Sequence, residues 1–275
     1  MEIQQSPLYA KYIRSLGWKV ESLDGCFIFI KPFWIFGGIA KIQRCIKLPD
    51  RKKVLRLLQS YGVRTLVIEP DSRVRQADLT RWTKSMAKDM TVNTDPYIPS
   101  KTIRIPLSGS EDALFSQLSE AKRRAVRRAL KAGVRIGISE DIRAMVRLKN
   151  RSAGLLGFIT TTGITKLWAI LPQKNKAILF AYDSKGTAVG TVLMLFCNRI
   201  GYYWIAGATR RGKKLFAPTL LVWEAIKLAR QRKMNFFDFV GVWDERIANK
   251  NTEWKGFTKF KEGFGGETLY YPLPG

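Results

Sequence analysis

Three strand-like runs in immediate succession restrict the fold of this 275-residue chain more than any other feature. Each run is apolar and has the length of a typical strand. Polar turn residues, DSKG at 183–186 and NR at 198–199, separate one run from the next. The runs are residues 177–182, 188–196 and 200–206. Connections this short predict an antiparallel meander.

A long amphipathic helix follows the predicted meander. Pro218 suits its first turn, and Leu221, Ala225 and Leu228 recur at helical spacing. This apolar stripe is expected to pack on the sheet. A buried strand that carries Asp238 is predicted next, over residues 236–240.

The order of helices and strands in the first part of the chain is repeated in the second, after a proline-containing segment at 93–106. The further predicted elements are helices 7–16, 50–60, 74–88, 110–132 and 141–153, and strands 18–30, 65–68, 134–138 and 269–271. The repeat predicts an α/β fold of two acetyltransferase-like (GNAT-type) domains, residues 1–103 and 104–275, with mixed sheets flanked by helices. The last strand is expected to return to the first domain.

The charge of the chain indicates anionic partners. It has 48 Lys and Arg residues against 22 Asp and Glu, a formal net charge of +26 at pH 7. Such an excess raises the local concentration of polyanions and speeds encounter with them. Nucleic acid, an anionic membrane surface and phosphorylated substrates all fit, and a generally basic proteome is the alternative explanation.

Residue types that the sequence lacks exclude several chemistries. The chain has no histidine, which excludes a Ser-His-Asp triad, a histidine general base and histidine-ligated metals. Cys26, Cys45 and Cys197 have no Cys-x-x-Cys spacing, so neither a disulfide framework nor a thiolate zinc site is indicated. We therefore predict neither a metal nor a cofactor, and a reducing cytoplasm fits.

No targeting signal and no membrane span are predicted. Residues 1–9 carry an acid and polar groups where a signal peptide has a basic flank and an apolar core. The most apolar run, 26–40, is interrupted by a Lys-Pro pair and is shorter than the ~20 apolar residues of a spanning helix. We expect buried strands there and a cytoplasmic protein. The alternative role of Phe33, Trp34 and Phe36 is peripheral contact with the inner membrane surface or a lipid-linked substrate.

A dense group of cations lies on the predicted helix 110–132. Val126, Leu130 and Val134 are expected to form the apolar stripe by which this region packs. Repeated like charges at i and i+4 destabilise a helix unless an anion neutralises them, so nucleic-acid phosphate is a natural partner. A solvated basic face is the alternative. The candidate binding residues are Lys122, Arg123, Arg124, Arg127, Arg128 and Lys131.

A segment near the C-terminus, residues 254–267, interleaves lysines, aromatic residues and glycines. Periodicity alone predicts a loop. Its glycines permit close approach of a ligand to the main chain, and Lys261 could present an ammonium to a developing oxyanion or a phosphate. The alternative is that Phe257, Phe260 and Phe264 only anchor the loop to the core.

An ordered set of short motifs resembles the FemABX family over nearly the full length of the chain. The motifs are YYWIAGA at 202–208, AP at 217–218 with Trp223, FDFVG at 237–241, GF at 256–257 and FKEGFGG at 260–266, preceded by LGWK at 16–19, VIEP at 67–70 and the basic segment 119–133. The resemblance implies a pair of acetyltransferase-like domains that build peptidoglycan interpeptide bridges. The resemblance implies aminoacyl-tRNA as the donor and lipid II or the UDP-linked muropeptide as the acceptor.

The resemblance also implies roles for individual residues. Lys261 matches the family lysine associated with catalysis. Lys19 matches a lysine that grips the muropeptide, and Glu69 and Arg44 fall at substrate-site positions. The basic helix would face tRNA.

Two other classes of function remain open from the sequence. An acyl-CoA-dependent N-acyltransferase shares the fold, and Arg210-Arg211-Gly212 before a helix is similar to a pyrophosphate-binding loop, although Lys213 and Lys214 follow where a second small residue is needed. A non-catalytic RNA-binding protein would need only the charge. Neither the transferred amino acid nor the oligomeric state can be deduced from the sequence.

Overall fold

The computed structural model describes residues 1–33, 37–153, 161–247 and 249–274. Trp34 and Phe36, two of the candidate membrane-contact residues, lie outside the described residues. The chain divides into two compact units, one of Met1–Lys101 with the residues from Leu269 onward, the other of Thr102–Thr268. Within the described residues, no helix combines the length and the apolar character needed to cross a bilayer.

The first unit contains a five-stranded mixed sheet in the order β1-β2-β3-β4-β5. Its strands are β1 (Lys19–Leu23), β2 (Cys26–Lys31), β3 (Gly38–Gln43), β4 (Val63–Glu69) and β5 (Thr91–Asn93). Its helices are α1 (Pro7–Ser15), α2 (Arg51–Ser60) and α3 (Gln76–Met86). The pairs β1–β2 and β2–β3 are antiparallel, whereas β3–β4 and β4–β5 are parallel. Aliphatic side chains from this sheet, α2 and α3 form its main core.

The single strand predicted over residues 18–30 is wrong, because β1 and β2 form a hairpin there. Its turn is Asp24-Gly25, with φ angles of 50° and 78°. Asp-Gly is a favoured sequence for a two-residue turn of this kind, since both central residues need positive φ. The chain therefore reverses within the apolar run instead of crossing the sheet once.

The second unit is built on a seven-stranded sheet in the order β12-β6-β11-β10-β9-β8-β7. Its strands are β6 (Lys101–Pro106), β7 (Arg135–Ser139), β8 (Lys176–Tyr182), β9 (Ala188–Cys197), β10 (Ile200–Ala208), β11 (Phe236–Asp238) and β12 (Glu267–Tyr270). Its helices are α4 (Glu111–Gln117), α5 (Glu120–Lys131), α6 (Ile142–Ala153), α7 (Ile164–Ile170), α8 (Arg210–Lys214), α9 (Ala217–Gln231) and α10 (Lys255–Glu262).

The predicted meander and the helix after it are confirmed. β8, β9 and β10 pair antiparallel in succession, and β10 pairs with β11 in parallel. The buried side of α9 packs on β8, β9 and β10 through residues such as Leu221, Ala225 and Ala229. The α/β fold with mixed sheets flanked by helices is likewise confirmed.

Two segments of the second unit differ from expectation. The single helix predicted over 110–132 is two helices, because Ser119 starts a new one by accepting a hydrogen bond from the Lys122 amide at 3.4 Å. Residues 254–267, expected to be a loop, contain helix α10. Thr258 within the helix and Phe264 just after it are both buried, and tertiary packing of this kind outweighs weak local propensity.

Candidate active site

The centre of the candidate site lies where β10 and β11 separate. The two strands pair in parallel at only three positions, ending at Tyr202 opposite Asp238. β10 then continues to Ala208, and its register with β9 shifts between Tyr203 and Ile205. Such a shift marks a bulge, and bulges redirect side chains next to active sites. Neighbouring parallel strands that separate at their carboxyl ends leave a crevice where ligands bind in open α/β sheets.

A strained turn ends β11 at this crevice. Val240 has a φ of 67°, and the Gly241 amide donates to the Phe239 carbonyl at 2.8 Å. A positive φ is costly for a β-branched residue, so surrounding contacts must hold the turn. The Asp238 carboxylate does so by accepting from the Val240 amide at 2.6 Å.

The Asp238 carboxylate is fully engaged within the protein. The side chain is only 1% exposed. Besides the Val240 amide, it accepts from Thr102 Oγ1 at 2.7 Å and from Arg104 Nε at 2.6 Å. Buried charges are tolerated when paired and hydrogen-bonded in this way. Asp238 therefore positions the turn and does not serve as a base for substrate.

Lys261 reaches the same turn from helix α10. Its Nζ atom donates to the Phe239 carbonyl at 2.9 Å and to the Gly241 carbonyl at 2.5 Å. The Phe257 ring centroid lies 4.9 Å from Nζ. Burial lowers the pKa of Lys261 to about 8, and the Asp238 charge opposes part of that effect. Of the three N–H groups of the ammonium, the described partners use two, and one remains for a ligand.

Trp243 is a site feature that the sequence does not reveal. Its main-chain amide donates to Thr258 Oγ1 at 2.8 Å, which ties the segment after the turn to α10. Its indole Nε1 is buried and has no hydrogen-bond partner among the described residues. A buried donor without a partner is uncommon and calls for an explanation. It makes the segment between the turn and α10 a candidate for ligand contact.

The start of the basic helix α5 packs against the segment that carries Lys261. The Ser119 amide donates to the Gly263 carbonyl at 2.9 Å. Lys122 Nζ lies 3.7 Å from the Phe260 ring centroid and 5.0 Å from that of Phe264. Burial lowers the pKa of Lys122 to about 8. The structure therefore brings Lys122, a candidate nucleic-acid ligand, into the packing around the candidate catalytic lysine.

Most other cations of α5 also have partners within the protein. Arg123 donates to the Ser116 and Leu118 carbonyls, and Arg124 pairs with Glu120 at 3.2 Å. The guanidinium groups of Arg127 and Arg128 lie over the rings of Phe115 and Phe216, at 5.6 and 5.7 Å. Lys131 is exposed. The α5 surface thus remains cationic, with side chains held in place by local contacts.

The apolar stripe predicted for this helix is wrong at one position. Val126 and Val134 are buried, but Leu130 is 56% exposed. Ala129 is buried instead, so the face that packs on the core uses the i, i+3 pair 126 and 129 and not the i, i+4 pair 126 and 130.

In the first unit, Glu69 and Arg44 lie side by side and are both buried. The Glu69 carboxylate accepts from Gln43 Nε2 at 2.6 Å and from the Tyr97 and Ile98 amides at 2.6 and 2.7 Å. The Arg44 amide donates to the Glu69 carbonyl at 2.6 Å. These contacts fix the end of β4 and the segment around Tyr97.

The guanidinium of Arg44 is likewise engaged by neighbouring groups. It donates to the Pro70 and Pro99 carbonyls, and it lies 3.2 Å from the Tyr271 ring centroid. Lys19, the third candidate of this unit, is exposed at the start of β1. The structure therefore joins Glu69 with Arg44 and leaves Lys19 at the surface.

Lys41 is a half-buried cation that the sequence interpretation missed. Its Nζ atom lies 4.8 Å from the ring centroids of both Trp18 and Tyr97. Burial lowers its pKa, and the Glu69 charge opposes this. The available signal was the alternation of polar Lys41 and Gln43 with apolar residues in the strand 38–43.

Comparisons with known proteins agree with this architecture. A family model described as an acetyltransferase (GNAT) domain matches residues 117–256. No functionally curated protein matches the sequence.

Several solved structures share the fold over nearly the whole chain. A crystal structure of FemX has a TM-score of 0.76 at 14% identity and covers 98% of this chain and 90% of its own. The C-terminal (DUF2156) domain of a putative lysylphosphatidylglycerol synthetase from Agrobacterium fabrum has a TM-score of 0.62 at 12% identity, covering 98% and 88%. L-PGS from Bacillus licheniformis has a TM-score of 0.60 at 11% identity, and the match covers 99% of this chain and 93% of that protein. The chain has a FemX-like fold.

Proposed function

Because this chain belongs to the acetyltransferase (GNAT) domain family and is an acyltransferase by class, we propose that it moves an amino acid from aminoacyl-tRNA to the stem peptide of a peptidoglycan precursor. The precursor is lipid II or the UDP-linked muropeptide. The FemABX-like motifs and the FemX-like fold support the proposal. One fold neighbour is a domain of a putative lysylphosphatidylglycerol synthetase, and the compound in that name joins an amino acid to a phospholipid.

The observation that carries the proposal is the position of Lys261 at the separation of β10 and β11. Its ammonium is held by two carbonyls in a largely buried setting, which leaves one N–H group for a ligand. A preorganised donor in such a setting stabilises a developing oxyanion more strongly than water does. This chemistry suits acyl transfer and needs no histidine.

The reaction balances without a strong enzymatic base. The acceptor amine nitrogen attacks the carbonyl carbon of the aminoacyl ester, and the ester C=O becomes an oxyanion that Lys261 stabilises. Collapse of the intermediate breaks the bond to the ribose oxygen and leaves an amide. The proton lost by the amine passes to that ribose oxygen, which departs as a hydroxyl. The ester is already activated, so orientation of the two reactants supplies most of the rate enhancement.

The remaining residues take supporting roles in the proposal. Lys19, an exposed cation of the first unit, grips the muropeptide acceptor. Glu69 and Arg44 shape the acceptor site through the backbone they hold. The exposed cations of α5 face the tRNA. A lipid-linked acceptor would bring the protein to the inner membrane surface.

An acyl-CoA-dependent N-acyltransferase is the second candidate, because the matching family model is described as an acetyltransferase domain. The segment Arg210-Arg211-Gly212 forms the first turn of α8 and is a poor pyrophosphate site. The Gly212 amide already donates to Thr209 Oγ1 at 3.0 Å, and Arg211 pairs with the Asp183 carboxylate at 2.6 Å. A five-residue helix also has a weak dipole with which to attract an anion.

The test is transfer by Lys261→Met with charged tRNA and muropeptide, read as added mass on the muropeptide. We expect kcat to fall by about 100-fold or more, as on loss of one oxyanion donor. Lys259→Met, on the same helix but exposed, is the matched control and should keep wild-type activity. Undiminished transfer by folded Lys261→Met would remove the lysine from the mechanism.

Two further measurements separate the competing functions. Saturable micromolar binding of acetyl-CoA by calorimetry would favour the acyl-CoA enzyme. Equal affinity for charged and uncharged tRNA with no mass gain on any muropeptide would favour a non-catalytic RNA-binding protein.

A further inference from the structure

A second cationic pocket lies in the second unit, away from the crevice that holds Lys261. Its volume is about 530 Å³, within the range of small-molecule sites. It is lined by Gln173, Lys174, Asn175, Phe196, Cys197, Asn198, Arg199, Arg232 and Met234. Three of these described lining residues are cations and none is acidic. The pocket is therefore suited to an anion that also has an apolar or planar part.

The turn between β9 and β10 places Arg199 at this pocket. Cys197 pairs with Ile200, so the connection has only the two residues Asn198 and Arg199, with φ angles of 49° and 62°. A turn with two positive φ angles favours glycine at its second position. The Arg199 carbonyl accepts from the Asn235 amide at 2.7 Å, which fixes the turn. A residue kept in an unfavourable conformation points to a function for its side chain.

Arg232 forms a planar platform inside the pocket. Its guanidinium lies 4.3 Å from the Phe196 ring centroid. Nη1 donates to the Lys174 and Lys176 carbonyls at 3.2 and 2.9 Å, so the plane is held in place. Unstacked RNA bases bind on fixed guanidinium and aromatic planes of this kind.

The pocket and the candidate active site lie at opposite ends of β10. The Asn198-Arg199 turn precedes the first residue of that strand, whereas the separation from β11 follows Tyr202 and reaches toward Ala208. Transfer chemistry at one end therefore leaves the other end free to hold a different part of a long ligand.

We infer that this pocket binds a nucleoside phosphate of an RNA strand, with the phosphate between Arg199 and Lys174 and the base on the Arg232 guanidinium, which is backed by the buried Phe196 ring. The charge of +26 favours a polyanion over a free nucleotide. Glu140, which accepts from Gln173 Nε2 at 2.8 Å, is an acid beside the rim and limits where the phosphate can lie. The inference rests on the proposed use of an RNA-borne donor.

The test is binding of uncharged tRNA transcript to Arg199→Gly, measured by fluorescence anisotropy over a salt series. We expect affinity to fall by about 3- to 10-fold and the salt slope to fall by about one, as for loss of one phosphate contact. The same variant should melt about 2–4 °C higher, since glycine relieves the positive φ of the turn. A loss of binding in a more stable protein cannot come from unfolding.

A matched pair of charge reversals locates the effect. Lys174→Glu should weaken tRNA binding at least as much as Arg199→Gly does. Lys185→Glu makes the same change of charge at an exposed position of the 183–186 turn, at the other end of β9, and should weaken binding less. An excess of the free mononucleotide AMP should compete only weakly with tRNA.

The outcomes distinguish the two proposals. Wild-type affinity and salt slope in Arg199→Gly and Lys174→Glu would overturn the pocket and leave the transfer function standing. Equal losses in Lys174→Glu and Lys185→Glu would overturn it as well, because charge alone would then explain the binding. Strong competition by AMP would replace RNA by a free nucleotide as the ligand. No binding of tRNA by the wild-type protein would remove the proposed donor itself.

Discussion

At the scale of single residues, two lysines near the candidate active site have strongly lowered pKa values. Lys122 and Lys261 are half-buried, lie against the aromatic rings of one segment, and each has a pKa lowered to about 8 by burial. The cost of dehydrating an ammonium is the common cause. Perturbed pKa values of this kind cluster at functional sites.

The lowered pKa of Lys261 predicts a pH-dependent stability difference between the wild type and Lys261→Met. The folded pKa of about 8 lies below the unfolded value of 10.5, so between these limits the unfolded chain binds more protons. The wild type should therefore gain stability relative to the variant as pH rises from 8 to 10.5, by up to about 3 kcal/mol. Urea unfolding at several pH values measures the difference.

Below pH 8 the stability difference between the wild type and Lys261→Met should not change with pH. Lys259→Met, at an exposed position of the same helix, should show no such pH-dependent difference from the wild type. A gap between wild type and Lys261→Met that is constant from pH 7 to pH 10.5 would contradict the buried-amine description.

At the scale of elements, one glycine in each of two short helices of the second unit affects the stability or the packing of its helix. Gly256 lies in α10, and a Cβ atom there would meet nothing within 4 Å. Gly212 lies in α8, where a Cβ atom would come within 2.2 Å of the Val189 carbonyl oxygen. The first glycine weakens the helix that carries Lys261, whereas the second is required for close packing on β9.

Alanine substitution should therefore act in opposite directions at these two positions. Gly256→Ala is expected to stabilise the protein by about 0.5–1 kcal/mol, because it removes backbone freedom from the unfolded chain. Gly212→Ala is expected to destabilise it by about 2 kcal/mol or more, because a backbone oxygen cannot move aside cheaply. Chemical denaturation of both variants measures the two changes, and equal effects would contradict the packing of α8.

At the scale of the whole molecule, the net charge of +26 sets the response to salt. Self-repulsion of like charges destabilises a compact state, and dissolved ions screen it. The short-range ion pairs of the protein, such as Arg104 with Asp238, are mostly buried or local and lose less on screening. The balance should favour the folded state as ionic strength rises.

We therefore expect the melting temperature to increase by about 2–4 °C between about 20 and 300 mM KCl. Potassium acetate at the same ionic strength should act alike, since screening depends on ionic strength and not on the identity of the anion. A fall in melting temperature with salt, or a rise with kosmotropic anions alone, would show that self-repulsion is not the governing term.

Much of the second unit could be predicted because its signals are local. Alternating apolar runs with turn residues between them are sufficient for β8, β9 and β10, and the stripe of Leu221, Ala225 and Leu228 is sufficient for α9. The β1–β2 hairpin and the start of α5 at Ser119 also have local signals, the Asp-Gly turn and a capping serine, which the sequence interpretation passed over. Helix α10 has no such signal, and packing alone establishes it.

The sequence by itself determined the α/β class and the absence of histidine chemistry, because short periodic patterns and composition carry that information. The resemblance of its motifs to a known family made Lys261 a candidate, and the net charge made polyanions the expected partners. Only the tertiary structure decided which groups hold the candidate residues. Lys261 is held by the Phe239 and Gly241 carbonyls, and the Asp238 carboxylate accepts from Thr102, Arg104 and the Val240 amide. Arg44 contacts Pro70, Pro99 and Tyr271. Apart from the Asp238–Val240 contact, each of these contacts joins residues far apart in the chain. Burial and hydrogen bonding at such distances follow from how the elements pack, which no local pattern encodes.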